Sequence, residues 1–320
     1  MFSLSDNKLN MSVRTACFLM AAITVSRGSS FLLSKHLLGT MGPLSLLGFR
    51  FLLAFAILFL LFLRSTVNAV RKDPGIIGAA ALLGSVYFLC MAAELIGLNY
   101  TTASTCSFLE NTAIVMVPVI EAILCRRLPR PLVMISTIAT VIGIGLIVFG
   151  SNYGTGGVGI GVGEGLCMIA ALMYAAAIII TDRLSKKHDP MTLGILYVGV
   201  MGALGMIAAF FVETPHLPQT EGQWLCLIAL AVLCTCFGFA VQPVAQKPIT
   251  SETTGIICAL NPLTTAVLGW ILLGEALGIG GMIGAFLIIG GIMLPNIRPG
   301  RAKGRRKPKN DLVLIQGNAK

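Results

Sequence analysis

Charge is scarce in this sequence. Aspartate, glutamate, lysine and arginine make up 11% of its 320 residues, where a soluble domain carries about 25%. Histidine occurs 3 times, as His36, His188 and His216, never in a cluster. No C-x-x-C, H-E-x-x-H, G-x-S-x-G or phosphate-loop motif is present. These absences exclude a water-soluble enzyme domain and leave no ligand set for a zinc or redox centre. "GTGGVG" at 154–159 spells the dinucleotide fingerprint, but no βαβ pattern surrounds it, so it carries no cofactor site. The 9 cysteines lie in apolar runs or at their ends and read as small packing residues. No cofactor is expected, and no enzymatic activity.

What the sequence has is apolar length. Hydrophobic residues form 56% of the chain, mean hydropathy is +0.89 and glycine occurs 36 times. These values describe a polytopic membrane protein with closely packed helices. A bilayer core needs about 20 apolar residues per helix, and ten such runs can be read: 15–38, 44–63, 75–97, 101–124, 131–150, 163–183, 191–212, 222–242, 252–273 and 276–296. The expected fold class is all-α, with ten transmembrane helices. The first run is too long and too charged for a cleaved secretory signal.

Basic residues orient the spans. With the N-terminus placed in the cytoplasm, every one of the 23 lysines and arginines except Arg27, Lys35 and Arg50 falls in a cytoplasmic loop or terminus. The opposite loops are nearly free of positive charge, and 213–221 is acidic through Glu213 and Glu221. Both termini are therefore expected in the cytoplasm, in a multi-pass protein of a bacterial plasma membrane. The basic tail, 297–320, accounts for much of the +10 net charge. Its expected partners are anionic lipid head groups rather than nucleic acid, since no aromatic residues interleave the charges.

The chain also repeats itself. "GPLSLLGFRFLLAFA" (42–56) aligns with "DPMTLGILYVGVMGA" (189–203), pairing Pro43 with Pro190, Arg27 with Tyr174 and Lys35 with Asp182. "VMVPVIEAIL" (115–124) pairs with "CALNPLTTAVLGWIL" (258–272) at an offset that drifts from about 147 to about 144. Five spans is an odd number, so the second half enters the membrane from the opposite side. The expected organisation is a cytoplasmic N-terminus (1–14), a first five-helix repeat (15–150), an outer loop (151–162), an inverted second repeat (163–296) and the tail. Inverted repeats accompany alternating access, with the substrate site between the halves near the bilayer midplane.

"RGSSFLLSK" in the first run, "PLSLLGFRFLL" in the second and "NPLTTAVLGWILLGEALGIGGMIGAFLIIGGIML" in the last two carry a resemblance. Together with the five-plus-five layout, the chain resembles the EamA-like branch of the drug/metabolite transporter superfamily over residues 15–296. That resemblance implies secondary transport of a small molecule, with export of amino acids or related metabolites as the expected direction and class. Two positions depart from the family pattern. Arg27 stands where the family commonly has tryptophan, and "RRLPRP" replaces the acidic residue that opens the last span of the first half. Glu275 keeps that acidic residue in the second half.

The intramembrane polar residues are the candidate site. Thr24, Arg27, Ser30 and Ser34 share one helical stripe, which must face protein or water rather than lipid. Arg27 lies about 20 Å up its helix and Arg50 about 10 Å below the outer end of its own. Glu110 lies about 15 Å deep and Glu94 within the outer turns of the third span. A lone charge at mid-bilayer costs roughly 2.5–3.5 kcal/mol, so pairing of these arginines with these glutamates is expected. Such pairs serve either as structural bridges or as substrate-binding and gating groups. Arg50 and Lys35 can alternatively snorkel to the interface. Asn111 and Asn261 offer amides at midplane depth. Pro118 and Pro262 interrupt their spans, as hinges or as packing kinks. Proton coupling or exchange is the expected driving force. A proton-coupled cationic drug exporter, using Glu94 and Glu110, is the nearest alternative, and a membrane sensor or scaffold subunit the alternative of another class. The protein is expected as a monomer or homodimer.

Overall fold

The computed structural model describes residues 11–124, 161–249, 251–258, 260–274 and 278–293, with positions 131, 134–135, 138–143 and 146 between them. Every regular element among the described residues is helical. Most of the fifth span, the outer loop and the basic tail lie outside the described residues, as do Glu275 and the side chains of Pro118, Glu121 and Glu252.

Helix α1 (Val13–Leu38) starts where Ser12 accepts a hydrogen bond from the Thr15 amide. Pro43 opens α2 (Pro43–Lys72), its fixed φ suited to a first helical turn, and α2 bends at Phe62 (φ −114°, ψ 18°). α3 (Gly75–Tyr100) follows after a two-residue break. The fourth span consists of α4 (Ala103–Asn111), capped by Thr102, and α5 (Ala113–Leu124), separated by a tight turn at Thr112. Pro118 falls inside α5, one and a half turns past that break.

The second half begins with α6 (Val162–Lys187) and α7 (Pro190–Val212), the latter capped by the Asp189 carboxylate and again opened by proline. The eighth span begins as α8 (Glu221–Ala229), entered through a Thr220–Gln223 capping box. It then widens into a π-helical stretch, Leu230–Ala240, and closes as α9 (Gln242–Gln246). In the ninth, α10 (Ser251–Cys258) and α11 (Leu260–Leu268) lead to a π-helical turn ended by Gly274 in the left-handed region (φ 65°). Pro262 is an early residue of α11. α12 (Ile279–Met293) is the last described helix.

Six of the described helices, counting Glu221–Gln246 as one, are long and apolar enough to span a membrane, and Leu260–Leu273 and Ile279–Gly290 are shorter apolar helices. Phe18, Leu60, Phe210, Phe211 and Phe286 point outward while Arg27, Arg50, Glu94 and Glu110 are buried. That inside-out distribution is what a hydrocarbon solvent imposes.

The two halves meet as the repeat demands. α2 packs along α7, α3 against α6 and α7, the eighth span against α1 and α2, α1 against α11, and α6 against α4. Exchanging the halves maps this set of pairings onto itself. α2 and α7, the matched second helices, run antiparallel: Gly48 touches Met206, Gly202 the Phe51–Leu52 backbone, and Gly199 the Phe55 ring. Removing the repeat offset of 147 turns the 199–55 contact into 52–202, so the two contacts are symmetry copies. An antiparallel pair of equivalent helices requires a two-fold axis across the bundle, in the membrane plane. The halves are inverted.

Candidate functional site

The polar stripe of α1 turns inward. Thr24, Arg27, Ser30 and Ser34 are all buried. Ser30 bonds back to the carbonyl of Arg27 and Thr24 to that of Met20, which satisfies each hydroxyl within the helix. Ser34 faces Arg50 of α2, and the Arg27 head reaches across to the second half.

Arg27 Nη1 donates to Tyr174 Oη at 2.7 Å and to Gln242 Oε1 at 3.2 Å. Nη2 lies 3.9 Å from Glu110 Oε1. The guanidinium carbon sits 4.7 Å from the centre of the Tyr174 ring and 4.4 Å from that of Phe239. Gly238 makes room for the arginine stem, since a Cβ there would meet Arg27 Cγ at 3.1 Å. At an effective dielectric of about 20, two unit charges at the 3.9 Å Arg27–Glu110 separation attract by about 4 kcal/mol. Arg27 and Glu110 are two buried charges, each costing roughly 2.5–3.5 kcal/mol at mid-bilayer, so this attraction offsets the larger part of the cost and the hydrogen bonds from Arg27 to Tyr174 and Gln242 reduce the rest.

Arg50, fully buried, donates Nε to Thr235 Oγ1 at 2.7 Å and Nη1 to Ser34 Oγ at 3.5 Å; Nη2 has no hydrogen-bond partner. Thr235 and Phe239 both come from the π-helical stretch. A π-helix presents side chains that a tighter α-turn would direct elsewhere, and such turns concentrate at functional sites.

Glu94 and Glu110 are buried and lie within electrostatic reach of each other; Glu94 also feels Arg27 and Arg50. Cys90 donates toward Glu110 Oε1, while Glu110 Oε2 has no partner. Asn111 spends its amide N–H on the Ser107 carbonyl and leaves Oδ1 unpaired, as is Oδ1 of buried Asn261. Asn261 lies against α1, its carbonyl beside Gly28. Lys35 stands apart: Nζ donates to the carbonyls of Leu98 and Thr101 at 2.6 and 2.8 Å, neutralising the C-terminal end of α3.

Sequence reasoning did not select the groups that surround these charges. Of the 5 tyrosines in the chain, Tyr87, Tyr174 and Tyr197 converge here. Tyr87 stacks on Tyr197 at 5.2 Å, Tyr197 donates to the Phe239 carbonyl, and Gln242 donates to Tyr87 Oη. Two signals were available: the repeat set Tyr174 opposite Arg27, and Gln242 is an amide inside an apolar span.

Arg27, Arg50, Glu94 and Glu110 come from the first half; Tyr174, Tyr197, Thr235, Phe239 and Gln242 come from the second. A buried charge cluster assembled across an inverted-repeat interface is the arrangement of a membrane transporter. The EamA-like transporter family model matches residues 14–149 and again 161–297. The chain belongs to the EamA-like transporter family.

Its relatives agree. An uncharacterized transporter of Archaeoglobus fulgidus is 26% identical over 279 residues, 87% of this chain and 85% of that one. The threonine/homoserine exporters RhtA of Escherichia coli and Salmonella typhimurium are each 25% identical over 284 residues, 85% of this chain and 88% of theirs. A crystal structure sharing 16% identity superposes with a TM-score of 0.66 over 89% of this chain and 97% of that one. This EamA-like chain is a multi-pass integral membrane protein of a transporter family.

Proposed function

We propose that the protein is a secondary active exporter of a small zwitterionic metabolite, an amino acid or close relative, in a bacterial plasma membrane with both termini cytoplasmic. It works by alternating exposure of a central site between two inverted repeats. The observation that carries this reading is the charge balance of the buried cluster: two guanidinium groups, Arg27 and Arg50, with two carboxyl groups, Glu94 and Glu110. Uncompensated charge is costly in a low-dielectric interior. With both carboxyl groups ionised the cluster is neutral and accepts a solute of zero net charge without a countercharge, and it offers opposite poles for the solute's carboxylate and ammonium. The exporter names of the RhtA relatives point to the same solute class. A cationic drug fits less well, because each carboxylate that would receive it has an arginine within reach.

The test is counterflow in proteoliposomes. Vesicles preloaded with unlabelled L-threonine or L-homoserine are expected to accumulate the labelled solute, and vesicles bearing Arg27→Ala protein are not. Uptake of organic cations with no exchange of any neutral amino acid would replace this reading with the drug-exporter one.

A further inference from the structure

Arg27 and Arg50 are chemically identical, and their surroundings separate them. Both terminal nitrogens of Arg27 have partners within the protein, and two aromatic rings lie against its guanidinium. Arg27 also bonds its own repeat counterpart, Tyr174, so it sits at the two-fold axis and joins the halves. Arg50 is more completely buried, its nearest ring centres lie farther off at 5.2 and 5.8 Å, and Nη2 has no acceptor. An unpaired N–H on a buried cation is among the more costly features a fold can carry.

Unpaired acceptors gather on α4. Ser107 Oγ, Glu110 Oε2 and Asn111 Oδ1 are buried with no donor at hydrogen-bond geometry, although the Glu94 carboxyl lies against that of Glu110, and they are spaced i, i+3 and i+4, which puts them on one helix face. Glu94 is in electrostatic reach of both Arg50 and Glu110. Thr66, Thr140 and Asn261 each also bury one unpaired oxygen, but on α4 and at Arg50 the unsatisfied atoms are one cationic donor and three acceptors, the complement of a carboxylate and an ammonium.

We infer that Arg50, through Nη2, takes the carboxylate of the solute, that Glu110 Oε2 with Asn111 and Ser107 takes its ammonium, and that Arg27 is a positioning residue. This rests on the transporter reading above. Arg27 holds Glu110 in place and pins α1 to α6 and α9. Arg50 confers the preference for a free carboxylate.

The test compares L-threonine with L-threonine amide, which keeps the side chain and ammonium but replaces the carboxylate by a neutral group. Ligand-dependent thermal stabilisation of the purified full-length protein reads both affinities. The wild type is expected to prefer threonine by about 10- to 100-fold, the factor that a charge-assisted hydrogen bond supplies. Arg50→Gln and Arg50→Met are both expected to bring the two ligands within about threefold, the methionine variant deciding if the glutamine one does not fold. Arg27→Gln is expected to lower the unliganded Tm yet keep the preference. Preference lost with Arg27→Gln and retained in both Arg50 variants overturns the assignment and leaves the transporter reading intact. Preference retained in all three variants also overturns it, Nη2 then being satisfied by water. A wild type stabilised by no neutral amino acid defeats the transporter reading and this inference with it.

Discussion

Arg27 and Tyr174 occupy matched positions in the two repeats and hydrogen-bond to each other, Nη1 to Oη at 2.7 Å. A residue that touches its own symmetry counterpart must lie at the symmetry axis. Arg50 and Tyr197 are likewise matched positions of the two repeats, and each borders Phe239. The repeats are therefore alike in plan and unlike in charge: the first supplies arginines where the second supplies tyrosines.

Tyr174→Phe removes one acceptor from Arg27 and leaves Gln242. The expected loss is about 1 kcal/mol of stability, seen as a Tm lower by a few degrees in detergent. An unchanged Tm would mean that the contact contributes little.

Arg27→Met strands a buried carboxylate, whereas Arg27→Met with Glu110→Gln removes both charges. The single variant is expected to cost about 3–5 kcal/mol, and the double variant to recover most of it. Thermal unfolding of the four proteins in the cycle checks this; additive losses would show that the two side chains do not interact.

Gly202 sits where a Cβ would lie 2.6 Å from the Leu52 amide, while Gly78 has nothing within 4 Å. Gly202→Ala must push α2 from α7 and is expected to destabilise by about 1–3 kcal/mol, with Gly78→Ala near wild type. Equal behaviour of the two in size-exclusion and thermal assays would contradict the close antiparallel packing.

Glu213, at the end of α7, accepts from the amides of Leu44 and Ser45 and from the Ser45 hydroxyl, capping α2 across the repeat interface. Glu213→Ala is expected to cost about 0.5–2 kcal/mol. Glu213→Gln, which keeps an acceptor, should cost less, and the ranking of their melting temperatures tests it.

If Glu110 exchanges a proton during transport, an imposed pH gradient will drive solute movement in wild-type proteoliposomes, and Glu110→Gln will abolish that response while solute exchange persists. A gradient-insensitive wild type would leave exchange as the driving process.

The membrane class was legible in the sequence because hydrophobic length needs no tertiary information. So was the inverted plan, because Pro43 and Pro190 mark the same helix start in both halves. Burial of Arg27, Ser30 and Ser34 followed from their common stripe on α1. Lys35 illustrates where such reading stops: a snorkelling lysine and one closing the last turn of α3 have the same local sequence, and only the position of Leu98 and Thr101 separates them.

Composition, apolar run length and the repeat offset thus determined by themselves that the chain crosses a bilayer many times as two inverted halves. Only the tertiary structure decided which groups the buried charges meet. Arg27 finds Tyr174 at a separation of 147 residues and Gln242 at 215, and Arg50 finds Thr235 at 185. Hydrogen bonds act over about 3 Å, so partners so distant in sequence are chosen by helix packing and by the π-helical turn that presents Thr235 and Phe239, not by any local pattern.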